Sequence, residues 1–227
     1  MQLDKRRIAV TGGFGALGTT MVRAALAAGA KVAAIDRADA PAGGIGQAVC
    51  LGGVDLADAQ SAKKAIDAAS HALGGLDALV NIAGTFRYET LAEGSLETWD
   101  LLYRVNLRTA VAASQAALEH LQAGSRIINI GAASGLKAGA GVGAYTASKS
   151  GVMRFTEALA EELKSRDITV NAVLPSILDT PPNRADMPKA NFDHWVTPQQ
   201  LADVIVFLLS AQSSAITGAL IPVTGRV

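Results

Sequence analysis

The sequence is short of aromatic residues and of cysteine. Phe, Trp and Tyr make up only 4% of its 227 residues, and the single cysteine, Cys50, excludes an internal disulfide framework. No charge of either sign predominates. With 20 Lys and Arg against 20 Asp and Glu, no basic surface for nucleic acid is expected. Charges or glycines interrupt every apolar run before it reaches the roughly 18 to 20 residues of a membrane span, so a soluble chain with no membrane partner is expected. The opening stretch MQLDKRRIAV has no apolar signal core, which makes the cytoplasm the expected location. His71, His120 and His194 lie far apart, no Cys, His, Asp and Glu cluster has ligand spacing, and no metal is expected.

What is present is Ala, Val, Ile and Leu in short runs, with 23 glycines spread between them. That mix suits buried parallel strands and close helix packing. Seven runs read as strands, at 7–12, 31–36, 48–56, 76–84, 125–132, 168–175 and 219–225. Helix-like segments near 16–28, 58–73, 95–121, 144–165 and 198–210 separate them. The repeat is βαβ, so the expected fold is a single α/β domain over 1–227, a doubly wound parallel sheet of about seven strands flanked by helices. One long connection, 176–198, carries four prolines and follows the sixth strand, where a loop of that length reads as a substrate-covering lid.

In AVTGGFGALG, Gly12, Gly15 and Gly18 have the spacing of a dinucleotide-binding turn opening a helix. The pyrophosphate would lie at that helix N-terminus, where free N–H groups favour an anion. Asp36 ends the second strand, where a carboxylate accepts from ribose hydroxyls and repels a 2′-phosphate, pointing to NAD. Arg37 beside it leaves NADP possible, since a guanidinium pairs with phosphate. Asp55, ending the third strand, reads either as an acceptor for the adenine amino group or as a helix N-cap.

Tyr145 and Lys149 in YTASK are four apart on a helix and share a face. An ammonium near a phenol favours the phenolate, so Lys149 is expected to lower the Tyr145 pKa and fit it for acid–base work. With TGGFGALG, NIAG at 81–84, VNL at 105–107 and the final TGALIPVTG, the chain resembles the short-chain dehydrogenase/reductase family over its whole length. That resemblance implies a Rossmann-type fold and hydride exchange between a nicotinamide cofactor and a carbonyl or alcohol. It implies Tyr145, Lys149, Asn106 and a serine as the catalytic set, with Asn106 supporting a water relay to Lys149. It further implies that the cofactor meets Gly12, Phe14, Gly15, Ala16, Leu17, Gly18, Asp36, Arg37, Asp55, Leu56, Asn81, Ala83, Gly84, Tyr145, Lys149, Pro175, Ile177 and Thr180. Alanine-rich helices at 95–121 and 144–165 permit packing between subunits, and a homodimer or homotetramer is implied.

Members of the family place a serine thirteen residues before the tyrosine, to polarise the substrate carbonyl. Here that position is Ala132, and the nearest hydroxyl is Ser134. Two extended residues displace a side chain by roughly 6 to 7 Å. Three readings stay open: relocation of the donor to Ser134, an activated substrate such as a quinonoid, or cofactor binding without catalysis. The stretch VLPSILDTPPNRADMP, with GGFGALG and AAID, is similar to the dihydropteridine reductase-like branch of the family, which lacks the same serine and uses NADH. NIAGTFRYET after the fourth strand and the retained Asn106 depart from that branch, so a 3-oxoacyl-type carbonyl reductase stays open beside it. Phe86 and Arg87 are expected to line the substrate pocket with Ala132, Ser134 and Tyr145. His194 and Trp195 would close over it, or Trp195 would anchor the lid by burial.

Overall fold

The computed structural model describes residues 2–227. The apolar runs form seven parallel strands: β1 Arg7–Thr11, β2 Lys31–Ile35, β3 Val49–Leu51, β4 Ala78–Asn81, β5 Arg126–Ile130, β6 Thr169–Pro175 and β7 Leu220–Val223. Their order across the sheet is β3-β2-β1-β4-β5-β6-β7. The chain therefore reverses direction between β1 and β4, and a crevice for ligands opens at the carboxyl ends of those two strands.

Side-chain alternation sends Ile8, Val10, Ile128 and Val173 to one face of the sheet, under α1 (Ala16–Ala27) and α7 (Pro198–Leu209). Ala9, Leu79, Ile127 and Val170 point the other way, under α2 (Ala59–Leu73), α4 (Thr109–Ala117) and α5 (Gly143–Leu163). Both faces are covered, which is why the strands are apolar throughout rather than alternating. Helix α7 starts with a capping box in which Thr197 and Gln200 each bond the other's backbone N–H.

Two expected elements differ. The segment 95–121 is not one helix: α3 (Leu96–Leu102) runs into a π turn over Tyr103–Arg108 before α4. The connection 176–198 is not irregular throughout, since α6 (Pro181–Asp186) forms inside it with Pro181 in its first turn, where the missing N–H has no helical partner to lose. The remainder of this lid is tied by a single parallel bridge between Leu178 and Val196. Arg184 pairs with both oxygens of Asp179 and lies over the Phe192 ring at 4.7 Å, and Phe192 packs on Trp195 with centroids 4.8 Å apart.

Candidate active site

The turn after β1 is built by glycine. Gly12 has φ +64°, and a Cβ on it would lie 2.7 Å from the Ala83 nitrogen, while one on Gly18 would lie 2.0 Å from the Gly12 oxygen. These two positions let α1 approach β1 and β4. Gly15 differs: it is exposed, a Cβ would meet only the Gly12 oxygen at 3.5 Å, and no side chain caps α1 there. The helix N-terminus is thus open to an anion, with Ala16 exposed and Leu17 buried beneath it. Gly13, which the fingerprint spacing passes over, is equally constrained, because a Cβ would lie 2.7 Å from that of Ala34.

Asp36 is fixed in place. Its Oδ2 accepts from Phe14 N–H at 3.0 Å and its Oδ1 from Ala38 N–H at 3.1 Å, while Arg37 is exposed. Asp55 serves neither as cap nor as an unengaged acceptor: it pairs with Arg104 at 2.6 Å and holds Ala57 N–H, next to buried Leu56, and Asp58 caps α2 instead. Thr11, which sequence reasoning missed, accepts from both Ile82 and Ala83 N–H and pins the end of β4 to β1. Asn81 lies in the sheet, donating to Ser114 Oγ and Asn129 Oδ1, and its own Oδ1 is buried without a protein partner.

At the start of α5 the expected residues converge. Lys149 is 5% exposed and donates from Nζ to the Ile130 carbonyl at 2.8 Å. A Cβ on Gly84 would meet Asn106 Oδ1 at 3.0 Å and Lys149 Nζ at 3.4 Å, so Gly84, Asn106 and Lys149 share one corner. Asn106 sits in the π turn, buried, with both amide ends engaged: Oδ1 accepts from Thr85 N–H at 2.7 Å, and Nδ2 donates to Ser148 Oγ at 2.9 Å. Ser148 in turn donates to the Tyr145 carbonyl at 2.7 Å. A π turn embedded in a helix commonly marks a functional position, and this one carries Asn106 into contact with the Tyr145 turn. Phe86 meets Tyr145 edge-on, with centroids 4.9 Å apart and planes at 77°.

Burial pushes the Tyr145 phenol up to about 12 and the Lys149 ammonium down to about 8. The expectation that Lys149 draws the phenol down is therefore corrected. Desolvation disfavours the charged form of both groups, and the ammonium spends a hydrogen bond on Ile130. Near neutral pH Tyr145 carries its proton, which equips it as an acid.

Ala132, two residues past β5, is still extended and is 4% exposed. Ser134 follows inside a 3₁₀ turn, Ala133–Gly135, that is held to α5 by Ser150 Oγ bonding the Gly135 carbonyl. On the lid, Ile177 bonds Val196 N–H through its carbonyl, Pro175 ends β6, and Thr180 precedes α6 without capping it through its side chain. Trp195 is 6% exposed and packs on Phe192, so it anchors the lid. Among the described residues no three His, Cys, Asp or Glu are placed to hold a metal, and no helix is long and apolar enough to cross a membrane.

A glycine turn with an open helix N-terminus, an anchored carboxylate after β2, and a partly buried Tyr145 one helical turn from buried Lys149 define a dinucleotide-dependent oxidoreductase. The profile of the short chain dehydrogenase family matches residues 6–191, and the chain belongs to that family, whose members are NAD(P)-dependent oxidoreductases. A curated relative, 2-(S)-hydroxypropyl-CoM dehydrogenase 3 of Xanthobacter autotrophicus, is 32% identical over 99% of this chain and 97% of its own length. The 3-oxoacyl-(acyl-carrier-protein) reductase FabG of Vibrio cholerae is 30% identical, with 99% and 98% covered. A short chain dehydrogenase from Burkholderia cenocepacia, solved in complex with NADP, superposes with a TM-score of 0.88 at 30% identity over 99% of this chain and 98% of that one.

Proposed function

We propose that the protein is an NADH-dependent reductase of an activated, conjugated acceptor such as a quinonoid ring, with Tyr145 as proton donor. The observation that carries this reading is Ala132, buried where a carbonyl-polarising hydroxyl would stand, beside an otherwise complete Tyr145, Lys149 and Asn106. Losing one donor to a developing oxyanion slows such reactions by about 100-fold or more, and an acceptor that is already electron-poor needs it least. Quinonoid dihydropterin is the particular substrate that the LDTPPNRADMP lid supports.

The residues fit the dinucleotide. Gly15 and the open start of α1 would take the pyrophosphate, and Asp36, anchored by Phe14 and Ala38, would accept from the ribose and repel a 2′-phosphate, which favours NAD over NADP. Gly84 leaves bare backbone beside Lys149, and Thr180 stands at the lid hinge. A reduced nicotinamide held by these residues would supply the hydride that the acceptor takes up. Tyr145 Oη gives the accompanying proton, so that the acceptor gains two electrons and two hydrogens. Lys149, held by Ile130, keeps its ammonium at the Asn106 corner, one helical turn from Tyr145, through which the proton can be replaced.

A second reading, carbonyl reduction aided by Ser134, has one observation in its favour. The chain after Ala132 turns into a 3₁₀ turn, with a rise of about 2.0 Å per residue, so Ser134 is displaced less than in an extended strand. Assaying Ser134→Ala on a simple ketone and on quinonoid dihydropterin separates the two, since only the carbonyl reading requires loss of activity. For either reading, Tyr145→Phe is expected to slow turnover by about 100-fold or more with NADH affinity nearly unchanged. Unchanged turnover in that variant rejects the mechanism, and equal kcat/KM with NADH and NADPH rejects the role given to Asp36.

The assembly we propose is a homodimer or homotetramer. Tyr103 on the π turn and Val111 on α4 are 55% and 38% exposed and make an apolar surface outside the cleft lining. Ala147 and Ala158 leave the outer side of α5 low enough for close approach.

A further inference from the structure

We propose that the cleft flanking the Phe86–Tyr145 contact recognises a cationic or amidine-type aromatic group, with Glu89 as its charge partner and Trp99 as its platform. The inference rests on the hydride-transfer reading, because it assigns the part of the substrate distant from the reacting atoms. The cleft, about 360 Å³, is bounded on one wall by Glu89, Leu91, Leu96 and Trp99, and on the other by Gly141 and Ala144. Both walls continue into the candidate active site: Phe86 lies three residues before Glu89 and touches Tyr145, and Ala144 directly precedes Tyr145.

The walls are held at a set spacing. Glu89 N–H donates to the Gly141 carbonyl at 2.7 Å, and the Tyr88 ring lies so close over Gly141 that a Cβ there would fall 2.2 Å from it. Trp99 reaches across to Gly143, where a Cβ would stand 3.6 Å from the indole edge. Indole and Gly143 are thus in contact and close one end of the cleft, whose volume is at the small end of ligand pockets, about 300 to 1,000 Å³.

Charge then selects the occupant. Glu89 is the only ionisable residue lining the cleft, it is half-buried, and it forms no ion pair among the described residues. Arg87, two residues away, points its guanidinium to Thr98 Oγ1 instead. An unpaired carboxylate between apolar walls repels carboxylate and phosphate groups and accepts a two-donor N–H edge in bidentate fashion. The half-exposed Trp99 indole lining the same cleft adds attraction for a cation placed over its ring.

Calorimetric titration of the NADH-loaded protein with benzamidine and with benzoate tests this. Benzamidine is expected to bind and benzoate not to. Glu89→Gln should weaken benzamidine at least about tenfold, equivalent to about 1.4 kcal/mol, and Glu89→Lys should reverse the preference between the two probes. Trp99→Leu, which keeps the carboxylate, should weaken benzamidine as well. Tyr145→Phe should retain benzamidine binding while losing turnover, so a failed hydride mechanism and a failed recognition pocket give different results. Absence of benzamidine binding, equal binding of both probes, or unchanged affinity in Glu89→Gln overturns the proposal.

Discussion

On the proposed reading, the methyl group of Ala132 decides the substrate class. Its backbone is extended and it is buried two residues past β5. A serine there would set a hydroxyl toward the crevice, near the acid Tyr145. Ala132→Ser is therefore expected to raise turnover of unactivated ketones by about tenfold or more while changing quinonoid reduction little. Steady-state kinetics on the two substrates checks this, and an equal effect on both would show that the hydroxyl does not reach the reacting oxygen. The added hydroxyl loses water on burial, so a fall in stability of about 1 to 3 kcal/mol is expected if it finds no partner.

At the scale of elements, the strands and the glycine turn were readable because their signals are local. Apolar runs bounded by glycine place β1, β2 and β4 to β7 within a few residues, and the Gly12, Gly15 and Gly18 spacing locates the turn where α1 begins. The π turn was not readable. Tyr103–Arg108 has ordinary helical composition, and the wider turn answers to tertiary bonds from Asn106 to Thr85 and Ser148, residues 21 and 42 positions away. Asp55 escaped for the same reason: its partner, Arg104, is 49 residues distant on the same turn.

Ser148 is the link that ties this turn to the Tyr145 carbonyl, and a local pattern marks it only as a small residue before the lysine. Ser148→Ala would leave Asn106 Nδ2 with one bond fewer in a buried setting, a loss of about 1 to 3 kcal/mol. Beyond that stability loss, kcat is expected to fall about tenfold with KM for NADH little changed, and Ser148→Thr should recover part of it. Equal melting temperatures and equal kcat in Ser148→Ala would remove Ser148 from the positioning of Tyr145.

For the whole molecule, Lys149 and Tyr145 couple folding to pH. Lys149 titrates at about 8 when folded against 10.5 for the ordinary side chain, so between those values the unfolded chain holds more protons and stability rises with pH. Tyr145, at about 12 against 10.0, works in the opposite sense: above pH 10 the unfolded chain sheds a proton that the folded one keeps, and stability falls. Urea unfolding across pH 7.5 to 11 is expected to show the rise in the parent protein, its flattening in Lys149→Met, and a weaker fall above pH 10 in Tyr145→Phe. A rise that persists in Lys149→Met would assign it to other groups.

Assembly is the remaining property at this scale. Exposed Tyr103 belongs to the same π turn as Asn106, so an interface there would brace the turn that carries Asn106. Tyr103, 55% exposed and with no aromatic contact among the described residues, is the residue to perturb without touching the cleft or Tyr145. Burying a carboxylate in an apolar contact is strongly unfavourable, so Tyr103→Asp should shift the protein to smaller species in light scattering at micromolar concentration. If the face is an interface that braces the π turn, kcat should fall with protein concentration on dilution of this variant, and the parent should show the same fall only at lower concentration. A parent protein that is monomeric at all concentrations would refute the assembly, and a variant that stays the same size would place the interface on another face.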